Sequence, residues 1–191
     1  MTELYCLGDS LTFGSGVPKS KKWTTLAAGE DLHPINLGVP GDTTGGMLAR
    51  LQTLLQSHLA PGTKVLVMGG SNDIFFSGSS TAARGNLAAM VHQLSAAGLS
   101  PIVGIPLPIC VEDAPQKWAK LADFARSAAL LEEYCRWLQV FCEAFDIPVV
   151  DFRKDYVNQD GSVRRELFAD GLHPNGQGHA LMAARLREAL L

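Results

Sequence analysis

The chain has 191 residues and a formal net charge of −3, with 47% apolar and 18% charged residues. This length suits one domain with a substantial core, predicted over residues 1–191, and the composition is ordinary for a globular protein. No stretch concentrates lysine or arginine beyond residues 19–22, so the charge gives no support to nucleic-acid binding.

The sequence shows no sign of a targeting or membrane-spanning segment. The first predicted strand begins within a few residues of Met1, so we expect no signal peptide. No apolar run approaches the ~20 residues that a transmembrane helix needs. We therefore expect a soluble, cytoplasmic protein.

Apolar runs and helical periodicities alternate along the chain. In chain order, the predicted elements are a strand at 4–7, a helix at 21–31, a strand at 34–37, a helix at 47–55, a strand at 65–68, a helix marked by 87–94, a strand at 101–105, a helix at 124–145, a strand at 147–152 and a last helix marked by 182–190. Asp42 or Thr43 is expected to cap the helix at 47–55, and Gly98 to end the one marked by 87–94.

This alternation predicts an α/β fold with three α/β/α layers and a five-stranded parallel sheet. We expect the flavodoxin-like strand order 2-1-3-4-5. The switch point then lies between strands one and three, where ligands bind in open sheets of this kind. The residues that follow those two strands, Ser10 and Asn72, would flank it.

Ser10 is the candidate nucleophile, because it stands where the first strand ends. A serine hydroxyl needs a base, and a histidine base needs a partner that holds its orientation. Among the five histidines, only His173 has a carboxylate at short range in a predicted turn, Asp170. Asp170 would reach Nδ1 of His173 and leave Nε2 facing Ser10. Pro174 is expected to open the last helix at its first position.

Acyl transfer also needs hydrogen-bond donors aimed at the developing oxyanion. We expect three: the backbone N–H groups of Ser10 and Gly41, and the side-chain amide of Asn72. Taken singly, these residues have structural explanations as helix caps or turn residues. Their occurrence together after successive strands favours catalysis.

The other histidines are expected to be structural or exposed, and His179 is the one nearest to His173 in sequence. Asp9, Asp42 and Asp73 are expected to support their turns.

Four motifs in this order closely resemble those of the SGNH hydrolases, also called the GDSL esterase/lipase family. They are Gly8-Asp9-Ser10-Leu11, the glycine Gly41 within residues 36–42, Gly70-Ser71-Asn72-Asp73, and Asp170 to Pro174 with the sequence Asp-Gly-Leu-His-Pro. The resemblance implies Ser10 as nucleophile, His173 as base and Asp170 as its orienting carboxylate. It also implies Ser10, Gly41 and Asn72 as the oxyanion hole, with no metal and no cofactor.

The short form of the chain looks most like the small bacterial lysophospholipases, thioesterases and arylesterases of that family. The expected activity is hydrolysis of carboxylic esters or thioesters of small or lipid-like substrates through a Ser10 acyl-enzyme. Three alternatives stay open: a carbohydrate O-acetylesterase, an acyltransferase with an alcohol acceptor, and a non-catalytic binding relative. The sequence does not determine the oligomeric state.

Apolar residues follow the third and fourth strands at the predicted active-site edge. They are Ile74, Phe75 and Phe76 after the third strand, and Leu107, Pro108 and Ile109 after the fourth; Leu172, beside His173, completes the set. Ordinary packing at the lip and an acyl-chain groove are both consistent with this pattern. We take the groove as the hypothesis, with Ile74, Phe75, Leu107, Pro108, Ile109 and Leu172 as its substrate-binding residues.

The four cysteines have no metal-ligand spacing. Cys135 and Cys142 lie seven residues apart in one predicted helix, or roughly 10.5 Å along its axis. This separation is too large for a disulfide. We expect Cys6, Cys135 and Cys142 to be buried thiols, and leave Cys110 open.

Overall fold

Five parallel strands form one sheet in a computed structural model, which describes residues 2–190. The strands are β1 (Thr2–Gly8), β2 (Leu32–Gly38), β3 (Lys64–Met68), β4 (Ser100–Ile105) and β5 (Val149–Asp151). Their order is β2-β1-β3-β4-β5, and every neighbouring pair is parallel. The predicted fold class and strand order are therefore confirmed.

Helices cover both faces of the sheet. They are α1 (Ser10–Phe13), α2 (Trp23–Leu26), α3 (Thr44–Gln56), α4 (Ser71–Ser77), α5 (Thr81–Ala96), α6 (Phe124–Ala144) and α7 (Gly176–Leu190). The hydroxyl of Thr43 accepts the N–H of Gly46 and caps α3. Of the two residues predicted as alternatives for this cap, Thr43 is therefore the one that forms it. Gly98 follows α5 with a φ of +74°, in agreement with the predicted end of that helix.

Alternate residues of the central strands point to opposite faces and build two cores. On β3, Val65 and Val67 pack with α3, α5 and α6, whereas Leu66 and Met68 face α2 and α7. The central strand is buried on both sides, which explains its unbroken apolar sequence. Because all strands run parallel, their carboxyl ends meet at one edge of the sheet.

Three sequence-based boundaries were wrong. The predicted helix at 21–31 is reduced to a 3₁₀ turn at Lys19–Lys21 and the short α2, because the backbone N–H of Gly29 bonds to the C=O of Leu32 and the chain already turns into β2. The strand predicted at 147–152 is only Val149–Asp151. Pro174 does not open the last helix, which begins at Gly176 because Oδ1 of Asn175 accepts the N–H groups of Gln177 at 3.0 Å and Gly178 at 3.2 Å.

All four cysteines are buried free thiols, including Cys110, whose environment the sequence had left open. Burial raises the pKa of the Cys142 thiol to about 11 and that of Cys135 to about 12. These thiols are therefore protonated and unreactive near neutral pH. None of the helices in residues 2–190 has both the length and the apolar character required to span a bilayer.

Candidate active site

Ser10, His173 and Asp170 meet at the carboxyl edge of the sheet. Nε2 of His173 lies 3.0 Å from Oγ of Ser10. On the other side of the ring, Nδ1 lies 2.8 Å from Oδ2 of Asp170. Both distances are those of hydrogen bonds. The histidine can therefore take a proton from the serine while the carboxylate holds the ring orientation.

The loop from Ala169 to Pro174 holds its two functional side chains by its own hydrogen bonds. Oδ1 of Asp170 accepts the backbone N–H groups of Leu172 at 3.0 Å and His173 at 2.7 Å. Gly171 lies at the tip with a φ of +75°, and a Cβ there would be 2.6 Å from the carbonyl oxygen of Cys110. Only glycine fits this position, so the spacing Asp-Gly-x-His follows from the geometry of the turn.

Burial raises the pKa of the Asp170 carboxyl, but hydrogen bonds from the side chain and backbone of His173 outweigh this effect. The net result is a pKa below the ordinary value. Asp170 is thus ionised at neutral pH. It can stabilise the positive charge that His173 acquires when it accepts a proton.

Ser10 is the first residue of α1, and only Asp9 separates it from the end of β1 at Gly8. Asp9 caps this helix by accepting the N–H of Leu11 at 2.9 Å. Burial raises the pKa of the Asp9 carboxyl to about 6, although this hydrogen bond and the nearby His173 act in the opposite direction. Asp9 supports its turn as predicted, and its charge changes in mildly acidic solution.

Gly41 and Asn72 lie in the same cleft as Ser10. Gly41 has a φ of +79°, and no heavy atom outside its chain neighbours lies within 4 Å of a Cβ built on it. The amide nitrogen of Asn72 donates one hydrogen bond to the carbonyl oxygen of Asp42 at 2.8 Å. Because a side-chain amide carries two N–H groups, this bond orients the amide and leaves the second N–H for a ligand.

The loop that carries Gly41 is tied to the sheet by Arg50, a residue on α3 that the sequence reasoning missed. Its Nε donates to Oδ2 of Asp42 at 2.9 Å. Its two Nη atoms donate to the carbonyl oxygens of Leu37 at 2.9 Å and Gly8 at 3.0 Å. Arg50 therefore joins the ends of β1 and β2 to the residue beside Gly41. The signal in the sequence that could have identified Arg50 is its position eight residues after the acidic loop residue Asp42.

One wall of the cleft is apolar, and the cleft has a volume of about 400 Å³. Of the predicted substrate-binding residues, Phe75, Leu107, Pro108, Ile109 and Leu172 line it. Ile74 does not, because its side chain is buried in the core beneath α4. The wall also contains apolar side chains absent from the predicted substrate-binding set: Phe76, Trp118, Leu121, Ala122 and Phe124.

His179 lies outside the cleft lining and is fully buried on α7. Its Nδ1 accepts the backbone N–H of Trp23 at 3.4 Å, a long hydrogen bond. Burial lowers the pKa of the imidazole to about 4, and the nearby Lys22 and His173 act in the same direction. His179 is therefore neutral at physiological pH, in a structural role between α7 and α2.

The burial of His179 predicts that the folded state becomes less stable in mildly acidic solution. The imidazole binds a proton near pH 6.5 when unfolded and near pH 4 when folded, so the unfolded state binds more protons between these values. The free energy of unfolding should fall by about 1–2 kcal/mol from pH 7 to pH 5 through this residue. Urea unfolding of the wild type and His179→Gln at both pH values measures the difference.

The comparison with His179→Gln is needed because the titration of Asp9 changes the free energy of unfolding in the opposite direction over this pH range. Its raised pKa means that the folded state binds more protons between about pH 4 and 6, so its contribution to stability falls as pH rises. His33→Gln, at an exposed histidine, is the matched control. Equal pH dependence in the wild type and His179→Gln would contradict the prediction.

Within residues 2–190, no group of three or more His, Cys, Asp or Glu side chains is arranged as a metal site. The polar residues that line the cleft are Asp9, Ser10, Ser15, Ser71, Asn72 and His173. Such a set is able to hold and polarise a carbonyl group beside a hydroxyl nucleophile.

The sequence model of the GDSL-like lipase/acylhydrolase family matches residues 6–181. The chain is similar to an arylesterase from Vibrio mimicus, with 34% identity over 107 residues, covering 53% of this chain and 52% of that protein. It is also similar to the esterase TesA from Pseudomonas aeruginosa, with 33% identity over 112 residues and 55% coverage of each. The chain thus matches about half the length of these curated relatives.

A solved structure extends the similarity to the whole fold. The crystal structure of a member of the lipolytic protein G-D-S-L family from Veillonella parvula superposes with a TM-score of 0.82 at 25% sequence identity. The alignment covers 100% of this chain and 98% of that one. The alignment therefore spans all the elements from β1 to α7.

Proposed function

The chain belongs to the GDSL-like lipase/acylhydrolase family, and from this premise we propose that it hydrolyses carboxylic esters through an acyl-enzyme on Ser10. The observation that carries the proposal is the hydrogen-bonded series from Ser10 to His173 to Asp170, with distances of 3.0 Å and 2.8 Å. A purely binding relative would have no need for this arrangement at the end of a ligand cleft.

In the first half of the proposed reaction, Oγ of Ser10 attacks the ester carbonyl carbon. His173 takes the hydroxyl proton on Nε2, and Asp170 stabilises the imidazolium that forms. The proton then passes to the oxygen of the leaving alcohol, whose bond to the carbonyl carbon breaks. Ser10 is left as an ester of the substrate's acyl group.

In the second half, a water molecule takes the place of the alcohol. His173 removes its proton, the hydroxide attacks the acyl-enzyme, and the proton returns to Oγ of Ser10 as the acid leaves. During both halves, the backbone N–H groups of Ser10 and Gly41 and the free N–H of Asn72 stabilise the negative oxygen. Asp42 and Arg50 keep the last two donors in place.

Covalent labelling tests the nucleophile directly. A fluorophosphonate probe phosphonylates only a serine whose hydroxyl is activated, and the modified peptide identifies it by mass spectrometry. We expect labelling of Ser10 in the wild type and no labelling in Ser10→Ala. Ser15→Ala is the matched control, because Ser15 lines the same cleft and should leave the labelling intact. An unlabelled wild-type protein would contradict the proposal.

The apolar wall favours esters with an aliphatic acyl group over acetylated carbohydrates. Phe75, Leu107 and Ile109 offer an acyl chain contacts without hydrogen-bond demands. Each methylene that is buried contributes about 0.8 kcal/mol. An acetyl group would leave most of this wall exposed to water, so the wall supports a longer acyl chain.

The apolar wall predicts an acyl-chain preference. In a series of p-nitrophenyl esters from acetyl to decanoyl, kcat/KM should rise by up to about fourfold for each added methylene until the wall is covered. Phe75→Ala should lower the value for octanoyl ester more than the value for acetyl ester. A maximum at acetyl would instead favour deacetylation of a carbohydrate or another small ester, and a flat series would argue against an acyl groove.

A further inference from the structure

Three apolar side chains at the mouth of the cleft are turned toward solvent. Phe76, Trp118 and Leu121 all line the cleft, yet they are 66%, 36% and 70% exposed. We refer to these three residues as the apolar rim. Large apolar side chains that are exposed around one opening are typical of a surface that contacts another apolar phase or molecule.

The segment that carries two of the rim residues is positively charged. Residues 116–126 contain three cations, Lys117, Lys120 and Arg126, and one carboxylate, Asp123, although the whole chain has a net charge of −3. Of the two carboxylates just before this segment, Asp113 forms a salt bridge with Arg165 and Glu112 accepts from the Cys110 thiol. Asp123 is engaged as the cap of α6, where it accepts the N–H of Arg126 at 3.0 Å. Both lysines are exposed, and Nζ of Lys117 lies 5.8 Å from the ring centroid of Trp118.

We propose that the apolar rim and its two lysines dock the mouth of the cleft onto an anionic lipid surface. A tryptophan beside lysines is well suited to the boundary between water and acyl chains. The positive segment is complementary to anionic headgroups, which attract lysines over about a Debye length. Exposed Phe76 and Leu121 enter the apolar layer beneath those headgroups.

Two other occupants fit this charge pattern less well. A second copy of the chain, related by a twofold axis, would bring the two positive segments together. An acidic protein would pair with the lysines, but Phe76 and Leu121 would then require an apolar pocket on that partner. A lipid surface satisfies the charged and the apolar groups at once, without a specific pocket.

Docking has a consequence for substrate entry, which rests on the proposed function. With the rim in the lipid, an ester would reach Ser10 by moving along Leu121 and Phe124 into the cleft. Its acyl chain would then remain in contact with apolar groups throughout. The docking itself requires no chemistry at Ser10, so it can be measured on an inactive protein.

The test measures binding of Ser10→Ala to vesicles of phosphatidylcholine with and without phosphatidylglycerol. We expect sedimentation with the anionic vesicles, a blue shift of tryptophan emission, and loss of binding as salt is raised. Lys117→Glu combined with Lys120→Glu should weaken binding by about 25-fold or more, at roughly fivefold for each lysine. Leu121→Ser should weaken it by about tenfold.

Matched controls come from surfaces remote from the rim. Val140→Ser changes a residue that is 64% exposed near the far end of α6. Lys64→Glu combined with Arg136→Glu makes the same charge change on β3 and mid-α6. These controls should bind as the parent does. Trp118→Phe should retain binding but lose most of the blue shift, since Trp23 is buried and Trp137 is half-buried against the core, outside the cleft lining.

Three results would overturn the docking surface: no binding to anionic vesicles, equal losses in the control variants, or lipid-free self-association that the rim variants abolish. The assay also separates this inference from the proposed function. Vesicle binding by a chain whose wild type hydrolyses no ester would remove the proposed function alone. Ester hydrolysis without vesicle binding would remove the docking surface alone.

Discussion

Ser10→Ala is expected to lower kcat for ester hydrolysis by about six orders of magnitude, and His173→Ala by a similar factor. The two side chains act as one unit, because the hydroxyl is a weak nucleophile until Nε2 removes its proton across the 3.0 Å contact. The double variant should therefore be no less active than either single variant. Steady-state rates on a p-nitrophenyl ester, corrected for uncatalysed hydrolysis, measure all three.

The activity of the double variant shows whether Ser10 and His173 act together or independently. Two residues that contributed independently would multiply their losses, and the double variant would fall far below both single ones. His33→Ala, at an exposed histidine away from the cleft, should retain wild-type kcat. Thermal unfolding of each variant checks that the loss of activity is not caused by a loss of folded protein. Activity within tenfold of wild type in Ser10→Ala would exclude Ser10 as the nucleophile.

Asn72→Ala is expected to lower kcat by about 10²–10³-fold with little change in KM. The free N–H of the Asn72 amide would bond more strongly to the negative oxygen of the transition state than to the neutral carbonyl of the substrate. Its removal therefore affects the reaction step more than binding. Asn72→Asp should be at least as damaging, because a carboxylate donates no hydrogen bond and repels the oxyanion.

A second asparagine separates catalysis from structural support. Asn36 donates from its amide to the carbonyl oxygen of Thr12 at 2.8 Å, much as Asn72 donates to Asp42 at 2.8 Å. Asn36 is not part of the cleft lining. Asn36→Ala should reduce stability and leave kcat nearly unchanged. A raised KM with unchanged kcat in Asn72→Ala would assign Asn72 to substrate binding instead of the oxyanion hole.

The strand order and the position of the candidate site could be predicted because both depend on local signals. Buried strands appear as apolar runs, and parallel strands place their following residues at a common edge. Ser10, Gly41 and Asn72 each follow a strand, and Asp170 lies three residues before His173 in a turn. Their residue types and order were enough to bring them together.

Two features could not be predicted, the helical state of residues 71–73 and part of the cleft wall. Both depend on long-range contacts that the sequence does not display. Ser71-Asn72-Asp73 has the composition of a turn, because short polar side chains compete with helical hydrogen bonds. The structure nevertheless places these residues in α4, where Asp73 accepts the N–H of Thr44 at 2.9 Å and its hydroxyl at 2.6 Å. The contribution of Trp118 and Leu121 to the cleft was missed because their segment has no periodicity that assigns a face.

The proposed nucleophile, Ser10, and its proposed base, His173, are 163 residues apart in the chain. Synthesis must pass residue 173, and the loop from Ala169 to Pro174 must reach the sheet edge, before Ser10 meets His173. A nascent chain that has folded β1 to β4 would hold a serine with no base and would be inert toward esters. Recovery of activity during refolding would then report the formation of this long-range contact, whose loop-closure entropy makes it slow relative to local helix formation.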